Sequence, residues 1–300
     1  MKPSVLCICD VPGWAFDRNC RDMAAALADD FDFRFWYMQN GPPPREGYDA
    51  YYCAYRWDLR IPMGHAIGSL RCEVFDATAP GPPTDFQCAE VNRFRAFHTV
   101  TRGAFDQLRR RCPQVQYLTN PVDTTRFMEP PGLRGGVVAS WTGHAKHPHP
   151  AGLDLKGFET IVLPACDRAR VPLVYAERVT RPVAADRMSA FYGRGNVTLC
   201  ASIVEGASNS VMEAMAAGHT LISTACGNVA EMQASQQKHL GATGIVIVPR
   251  SVEAFADALG SLTAARVAEM GALNAWEIRD RWSWRAWAPK YETLIRSVLC

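Results

Sequence analysis

The feature that most constrains this chain is a pattern that runs twice. Short apolar runs alternate with segments of helical spacing up to residue 118, then the alternation breaks off and restarts at residue 137. Strands alternating with helices build parallel βαβ units, and hence a doubly wound sheet. The break, Asn120 to Gly136, is rich in Pro and Gly and has no periodicity, as a linker does. A chain of 300 residues accommodates two such domains. The expected fold class is α/β, with two doubly wound Rossmann-like domains facing across a cleft. The expected domains span 1–125 and 126–282, with a C-terminal helix at 283–300 crossing back to the first.

The periodicity predicts strands in the first half at Val5–Cys9, Phe31–Met38, Ala50–Tyr55, Glu73–Ala77, Phe97–Thr101 and Val115–Leu118. Helices are expected at Asn19–Leu27, Met63–Leu70, up to Glu90, and Ala104–Arg111. The second half reads as strands at Val137–Trp141, Pro172–Ala176, Val197–Ala201, Thr220–Thr224 and Ile245–Val248. Its helices are expected at Gly157–Cys166, Ala184–Tyr192, after Ser208, Val252–Leu262, and Ala264–Leu299 with a break at Trp282-Ser283-Trp284.

Composition narrows the class. Hydrophobic residues make up 48% of the chain and charged residues 21%, the proportions of a soluble globular protein. A net charge of +2 gives no global electrostatic case for nucleic acid or anionic membrane. The 11 cysteines are scattered, several inside apolar runs (Cys7, Cys9, Cys53, Cys166, Cys200), and form no zinc-type pair of C-x-x-C clusters. Buried thiols in a reducing compartment are the expectation. The N-terminus shows no signal-peptide pattern, and no apolar run is long enough to span a bilayer. A cytoplasmic protein is expected, with peripheral membrane contact left open and the oligomeric state unread.

One stretch concentrates the chemistry. Val197 to Ala201 is strand-like, Glu205-Gly206 breaks it, and Ser208, Asn209 and Ser210 are all good N-caps for an Ala/Met-rich helix that stops at Gly218. Backbone N–H groups at such a helix start form an anion site, strengthened by the helix dipole. Two readings of Glu213 compete. Ser210-Val211-Met212-Glu213 spells a capping box, in which Glu213 serves the helix's own N–H groups. Alternatively, Glu213 faces a ligand above the helix start, where the small residues 206–208 leave room.

The motifs around this stretch resemble, in order, those of the GT-B-fold glycosyltransferases of family 4, the glycosyl transferases group 1. Asn120-Pro121-Val122-Asp123-Thr124-Thr125-Arg126-Phe127 is similar to the Asn-Gly-Val-Asp-x-x-x-Phe of the interdomain crossing, with Pro for Gly. Lys156-Gly157 resembles the Lys-Gly that opens the first donor-domain helix. Ser202 to Gly218 resembles the Pro-Ser-x-x-Glu-Gly-Phe-Gly…Glu-Ala-Met-Ala-x-Gly signature. Gly227-Asn228-Val229-Ala230-Glu231 resembles the following Gly-Gly-x-x-Glu turn, and Trp282-Ser283-Trp284 the Phe-Ser-Trp before the last helix. The N-terminal half matches only in layout.

The resemblance implies a retaining transfer of a sugar from a nucleoside-diphosphate sugar, a UDP-sugar first, to a hydroxyl of a surface glycan or small molecule. The turn and helix start at Gly206, Ala207, Ser208, Asn209 and Ser210 would hold the diphosphate. Lys156 would neutralise charge growing on the leaving group. Glu213 would accept hydrogen bonds from the ribose hydroxyls, and Glu205 with the 206–208 turn would hold the donor sugar. A leaving phosphate oxygen takes the acceptor proton, so this chemistry requires no protein nucleophile, metal or other cofactor.

The chain departs from the family at several points. The usual Arg after the first donor-domain strand is missing from Ala139-Ser140-Trp141-Thr142-Gly143-His144, where His144 or Lys146 are the substitutes at hand. The usual acceptor-domain His is replaced at Phe75-Asp76, which makes Asp76 or His65 the residue facing the sugar. Gly13, in the turn Pro12-Gly13-Trp14, stands where the family has a Gly-rich loop lining the cleft; an ordinary βα turn is the other reading. Three features are read as decoys. His144, His147 and His149 are spaced by prolines and lack a fixed carboxylate or thiol set, so no metal site is assigned. Asp30-Phe31-Asp32 reads as solvated surface. Arg109-Arg110-Arg111 reads as a basic helix end.

Two other functions stay open beside this one. A phage-type enzyme glycosylating a hydroxymethylated DNA base would keep the chemistry and change the acceptor. A non-catalytic nucleotide-sugar-binding module would keep the donor and lose the transfer.

Overall fold

A computed structural model of the chain describes residues 1–54, 60–72, 81–127, 136–146 and 152–299. They divide into two compact units, Met1–Pro121 with Trp282–Cys300, and Val122–Arg281.

Unit 1 holds a six-stranded sheet of β1 (Ser4–Cys9), β2 (Asp32–Tyr37), β3 (Ala50–Cys53), β4 (Ala66–Leu70), β5 (Ala96–Thr99) and β6 (Val115–Tyr117), in the order β2-β1-β3-β4-β5-β6. Every pairing in it is parallel. β1 sends the chain first to β2 on one side and then to β3 on the other, so the topological switch point lies at β1/β3. Cys7, Cys9 and Cys20 are core residues of one face, beside Trp284, Trp287 and Tyr291. These cysteines are spent on packing, as free buried thiols.

Two helices share that face: α1 (Ala15–Ala26) and, from the far end of the chain, α10 (Trp284–Arg296). Ser283 is the N-cap residue of α10, and Trp282 and Trp284 are buried beside it. The Tyr291 hydroxyl donates to the Thr119 carbonyl (2.8 Å). Arg296 donates to Asp30 (3.1 Å), Arg34 pairs with Asp32 (3.0 Å) and Phe31 is buried, which accounts for the Asp30-Phe31-Asp32 run. The remaining helices of the unit are α2 (Asp85–Asn92), with a capping box between Thr84 and Gln87, and α3 (Arg102–Leu108). At the end of the basic run, Arg111 pairs with Asp85.

The helix expected at Met63–Leu70 is not formed. A single 3₁₀ turn, Met63–His65, leads into β4. All five β4 residues are buried, and the strand is hydrogen-bonded between β3 and β5. Gly68 decides the packing, because a Cβ there would run into the Phe97 ring on β5. The apolar spacing of this segment suits either element, and sheet pairing overrides it. The strand expected at Glu73–Ala77 lies outside the described residues.

Unit 2 holds β7 (Ala139–Gly143), β8 (Leu173–Glu177), β9 (Val197–Cys200), β10 (Thr220–Ser223) and β11 (Ile245–Ile247), in the order β11-β10-β9-β7-β8, all parallel. Its helices are α4 (Leu163–Ala169), entered through a π turn at Phe158–Val162, α5 (Met188–Tyr192), α6 (Asn209–Ala216), α7 (Val229–Leu240), α8 (Val252–Gly260) and α9 (Ala264–Arg281). β7 sends the chain to β8 on one side and to β9 on the other, so this switch point is β7/β9.

Sequence reading missed α7. Its buried positions are Val229, Met232 and Gln236, a narrow face whose third member is polar. Gln236 is buried because it is fully used: its Oε1 accepts from the Thr243 hydroxyl and the Gly244 amide (2.8 Å each), and its Nε2 donates to Asn274 Oδ1 (2.7 Å). Asn274 Nδ2 then donates to the carbonyls of His219 (2.7 Å) and Gly244 (2.9 Å). This amide pair joins α7, α9 and the entries to β10 and β11. Asn274→Ala would strand those groups without water, at roughly 1–3 kcal/mol each before relaxation. A loss of about 2–4 kcal/mol in urea unfolding is expected, and a loss below about 0.5 kcal/mol would show that the staple is unimportant.

Candidate functional site

In a doubly wound sheet, ligands bind beyond the carboxyl ends of the strands at the switch point. Unit 2 has a cavity of about 50 Å³ there. Its wall includes Trp141, Thr142 and Gly143 from the end of β7, Cys200 from the end of β9, Ser202 and Glu205 from the turn that follows, Ser210 and Val211 from the start of α6, and Lys156.

Lys156 and Glu205 form an ion pair with Nζ 2.5 Å from Oε1, and their side chains are 24% and 15% exposed. The Ser202 hydroxyl donates to the same Oε1 (2.7 Å). Burial works against the ammonium; the Glu205 charge and hydrogen bond outweigh it and hold the Lys156 pKa above its ordinary value. Lys156 is therefore a cation throughout the neutral range, placed on the wall of a small polar cavity.

Three devices hold this pair. Gly157 has φ +64°, and a Cβ on it would stand 2.8 Å from the Ala201 carbonyl oxygen, so the residue after Lys156 rests directly on the end of β9. Gly227 has φ +57° and is so close to the Gly206 carbonyl and Glu205 Cβ that any side chain would displace them. This is the physical content of the Gly227 turn. Arg250, which sequence reading missed, donates from Nε to the Ala201 carbonyl (2.8 Å) and from an Nη to the Asp154 carbonyl (2.6 Å). Asp154 in turn accepts from the Gly157 amide (2.8 Å) and the Thr160 hydroxyl (2.5 Å). Nothing in the spacing of Arg250 announces that it ties the Lys156 loop to β9.

At the helix start, Ser208 is the N-cap residue, its side chain makes no cap bond, and its hydroxyl lies 3.2 Å from that of Ser210. Gly206 and Ala207 form the turn before it, and Asn209 opens the helix. With Ser208 as N-cap, the N3 position is Val211, so the Ser210–Glu213 capping box is not formed. Glu213 lies one turn into α6, only 5% exposed, and its Oε2 accepts from the Tyr192 hydroxyl (3.2 Å). It is not among the residues that wall the cavity.

Neither proposed substitute for the missing Arg reaches this wall: Lys146 is exposed, 3.8 Å from Glu159, and His144 is not part of it. Glu177, at the end of β8, organises the adjoining loops. It accepts from the amides of Ala145 (3.2 Å), Val179 (2.8 Å) and Thr180 (2.6 Å) and from the Thr180 hydroxyl (2.9 Å).

Gly13 belongs to unit 1. It has φ +77°, and its amide donates to Asp17 Oδ2 (2.8 Å). Asp76 lies outside the described residues, as do His147 and His149. His65 sits at the N-terminal end of β4, with Nδ1 3.0 Å from the Val298 carbonyl. The C-terminal edge of unit 1 instead presents Arg71, another residue that sequence reading missed. It donates to Asn120 Oδ1, the Tyr52 hydroxyl (2.7 Å) and the Ser69 hydroxyl (3.2 Å), all uncharged. Asn120, the first residue of the crossing motif, thus anchors a guanidinium. Phe127, the last, packs edge-on against Tyr192 in unit 2 (5.9 Å).

With this geometry in hand, comparison with known proteins places the chain. Residues 166–265 match the family model Glycosyl transferases group 1. The structure resembles that of Anabaena HepE in complex with UDP and glucose, with a TM-score of 0.68 at 11% identity over 97% of this chain and 99% of that one. It resembles sucrose-phosphate synthase of Thermosynechococcus elongatus with a TM-score of 0.68 at 13% identity, over 98% of this chain and 99% of that one. S. aureus TarM follows with 0.64 at 12% identity, over 91% of this chain and 58% of that one. No curated protein matches the sequence. The fold is the GT-B fold of glycosyltransferases, α/β with two doubly wound Rossmann-like sheets, and the resemblance to group 1 read from the sequence is borne out over the matched segment. Among the described residues no helix is long and apolar enough to cross a membrane.

Glu177 provides a test of these loops. Burial alone would raise its pKa; the bonds from Thr180, Val179 and Ala145 overcome that and hold it at about 2, against an ordinary 4.5. A depressed carboxylate pKa contributes stability above pH 4.5 that is lost as pH falls towards 2. The stability difference between wild type and Glu177→Gln, read from urea midpoints, should therefore be full at pH 6 and shrink across that window. A difference independent of pH would contradict the assignment.

Proposed function

We propose that the protein is a retaining glycosyltransferase that moves a sugar from a nucleoside-diphosphate sugar, preferentially a UDP-sugar, to an acceptor hydroxyl of a glycan or small molecule. The observation that carries this reading is the Lys156–Glu205 pair, set against the start of α6 in a cavity at the β7/β9 switch point. A diphosphate needs a cation and oriented N–H groups together, and here Lys156 and the first turn of α6 wall one space. HepE in complex with UDP-glucose shares the fold and supports UDP as the nucleotide to try first.

In this reading unit 2 binds the donor. Lys156 offsets charge growing on the leaving diphosphate, which is worth most in a site screened from water. Gly206, Ala207, Ser208, Asn209 and Ser210 turn the backbone around the phosphates. Glu205, freed from Lys156 as the phosphates take over that cation, turns to the hydroxyls of the donor sugar. Glu213, steadied by Tyr192, serves the ribose diol. The acceptor falls to unit 1, with Gly13 and Asp76 as the candidates. Its hydroxyl attacks from the face that the diphosphate leaves, and a phosphate oxygen takes its proton. The atoms balance without a protein nucleophile or a metal.

A thermal-shift panel of nucleotides and nucleotide sugars tests the donor site. At a hundredfold excess over its dissociation constant a true donor adds about 2.7 kcal/mol of stability, so it stands out from the rest. Lys156→Ala should abolish that shift and lower kcat by about 10²–10³-fold while the variant still unfolds cooperatively. If no nucleotide or nucleotide sugar moves the melting temperature of the wild type, the reading fails. Binding without any transfer, with a range of sugar acceptors, would favour the non-catalytic module instead.

A further inference from the structure

The cavity wall contains a thiol that the proposed transfer does not use. Cys200 ends β9 and lines the cavity beside Ser202, Glu205 and Lys156. Its Sγ is 3.9 Å from Sγ of Cys226, in the turn after β10, and 3.7 Å from the Ser202 hydroxyl. Both cysteines are buried, at 6% and 2% exposure. The pair is local in space and distant in sequence: β9 and β10 are neighbouring parallel strands in which Cys200 lies opposite Ser223, and the chain then turns back through Cys226 to Gly227.

We infer that Cys200 and Cys226 are a peroxide-sensitive dithiol whose oxidation to a disulfide deforms the cavity that holds Lys156 and Glu205. Cys200 lines the cavity, so a small oxidant such as hydrogen peroxide that enters it meets this thiol. In the first step the Cys200 thiolate attacks one peroxide oxygen, the O–O bond breaks, and the thiolate with one added proton becomes a sulfenic acid and water. In the second, Cys226 Sγ attacks Cys200 Sγ, the S–O bond breaks, and the hydroxyl leaves as water with the Cys226 proton. Two thiols and one peroxide thus give one disulfide and two waters. The roles follow from position: Cys200 is the thiol on the cavity wall, and a hydrogen bond from Cys226, aided by the Ser202 backbone and the Lys156 charge, lowers its pKa against burial and the Glu205 charge. The same contact, with burial, pushes Cys226 up.

A disulfide needs the sulfurs at about 2.05 Å, so the two must close by nearly 2 Å. Cys200 is fixed in a central strand, and the turn carrying Cys226 does the moving. Gly227, the next residue, already rests on the Gly206 carbonyl and Glu205 Cβ. Movement there is transmitted to Glu205 and through it to Lys156. Loss of nucleotide binding on oxidation rests on the donor-site reading above; formation of the disulfide does not.

The test treats the full-length protein with hydrogen peroxide, blocks remaining thiols, and maps disulfides by peptide mass spectrometry without reduction, with a UDP thermal shift measured in parallel. A Cys200–Cys226 peptide pair about 2 Da lighter than the reduced sum, and a UDP shift lost on oxidation and restored by dithiothreitol, are expected. Cys226→Ser should keep its UDP shift after peroxide. Recovery of both cysteines as free thiols, at a dose that oxidises other thiols of the chain, overturns the site. A mapped disulfide with an unchanged UDP shift overturns the coupling to the cavity. If the reduced protein shows no shift with UDP, the nucleotide that does shift it in the panel above takes the place of UDP; if none does, the donor reading and the coupling fall together, and the mapping alone decides the disulfide. Cys200→Ser is the second variant should Cys226→Ser fail to fold.

Discussion

Unit 2 depends on what gathers at the end of β9. The Ala201 carbonyl accepts a hydrogen bond from Arg250, Gly157 lies against it, and the next residue, Ser202, holds Glu205. Gly227 closes the turn from the other side. Four segments far apart in sequence therefore meet at one strand end, and two of them approach so closely only because they lack a Cβ. The ion pair of Lys156 and Glu205 results from this convergence. Neither residue would face the other if its loop were lifted by one methyl group. The strictness of the geometry is steric first and electrostatic second.

The electrostatics then explain why a cation can wait in a small cavity. A partly buried ammonium without a counter-ion is costly, and Glu205 supplies one. A lysine is a compact point charge on a flexible stem, which can pass from a carboxylate to a phosphate by a small swing; an arginine would be committed to a fixed bidentate geometry. Arg250, close by, is spent on backbone carbonyls. Where group 1 enzymes are expected to use two cations, this wall presents Lys156 and the dipole of α6. On the proposed reading, part of the phosphate charge is met by backbone rather than by side chain.

How much of this was legible in the sequence depends on the kind of signal. The strand–turn–helix at 197–218 could be read because small and capping residues cluster where a strand must end and a helix begin. Lys156, Gly157 and Gly227 could be read only through their order along the chain, since no local pattern says that a glycine will rest against a strand 44 residues later. The β4 error and the missed α7 share one cause. In β4 the segment Ala66–Leu70 has apolar residues at spacings that either element tolerates. In α7 a buried polar residue, Gln236, stands where periodicity looks for an apolar one. In both, hydrogen bonds to distant segments settle the matter, and a local window does not contain them. Arg71 and Arg250 were invisible for a related reason: their partners are mostly hydroxyl, amide and carbonyl groups that leave no charge pattern to match.

The two sheets also show why the same topology need not give two anion sites. In unit 1 the helix that leaves the switch-point strand β1 is α1, and its first turn carries Asp17. That carboxylate accepts from the Gly13 amide, from Arg21 (3.0 Å) and from the Tyr37 hydroxyl (2.8 Å), so the positive end of the helix is already neutralised by the chain itself. In unit 2 the first turn of α6 carries no acidic residue, and its N-cap serine makes no cap bond. A negatively charged ligand at α1 would have to displace a buried carboxylate held by three partners, whereas at α6 it would meet a dipole and a lysine. The Gly13 amide is itself taken by that carboxylate, so this turn offers no open N–H and no unneutralised helix end to a phosphate. The asymmetry between the units comes from one aspartate in the first turn of a helix.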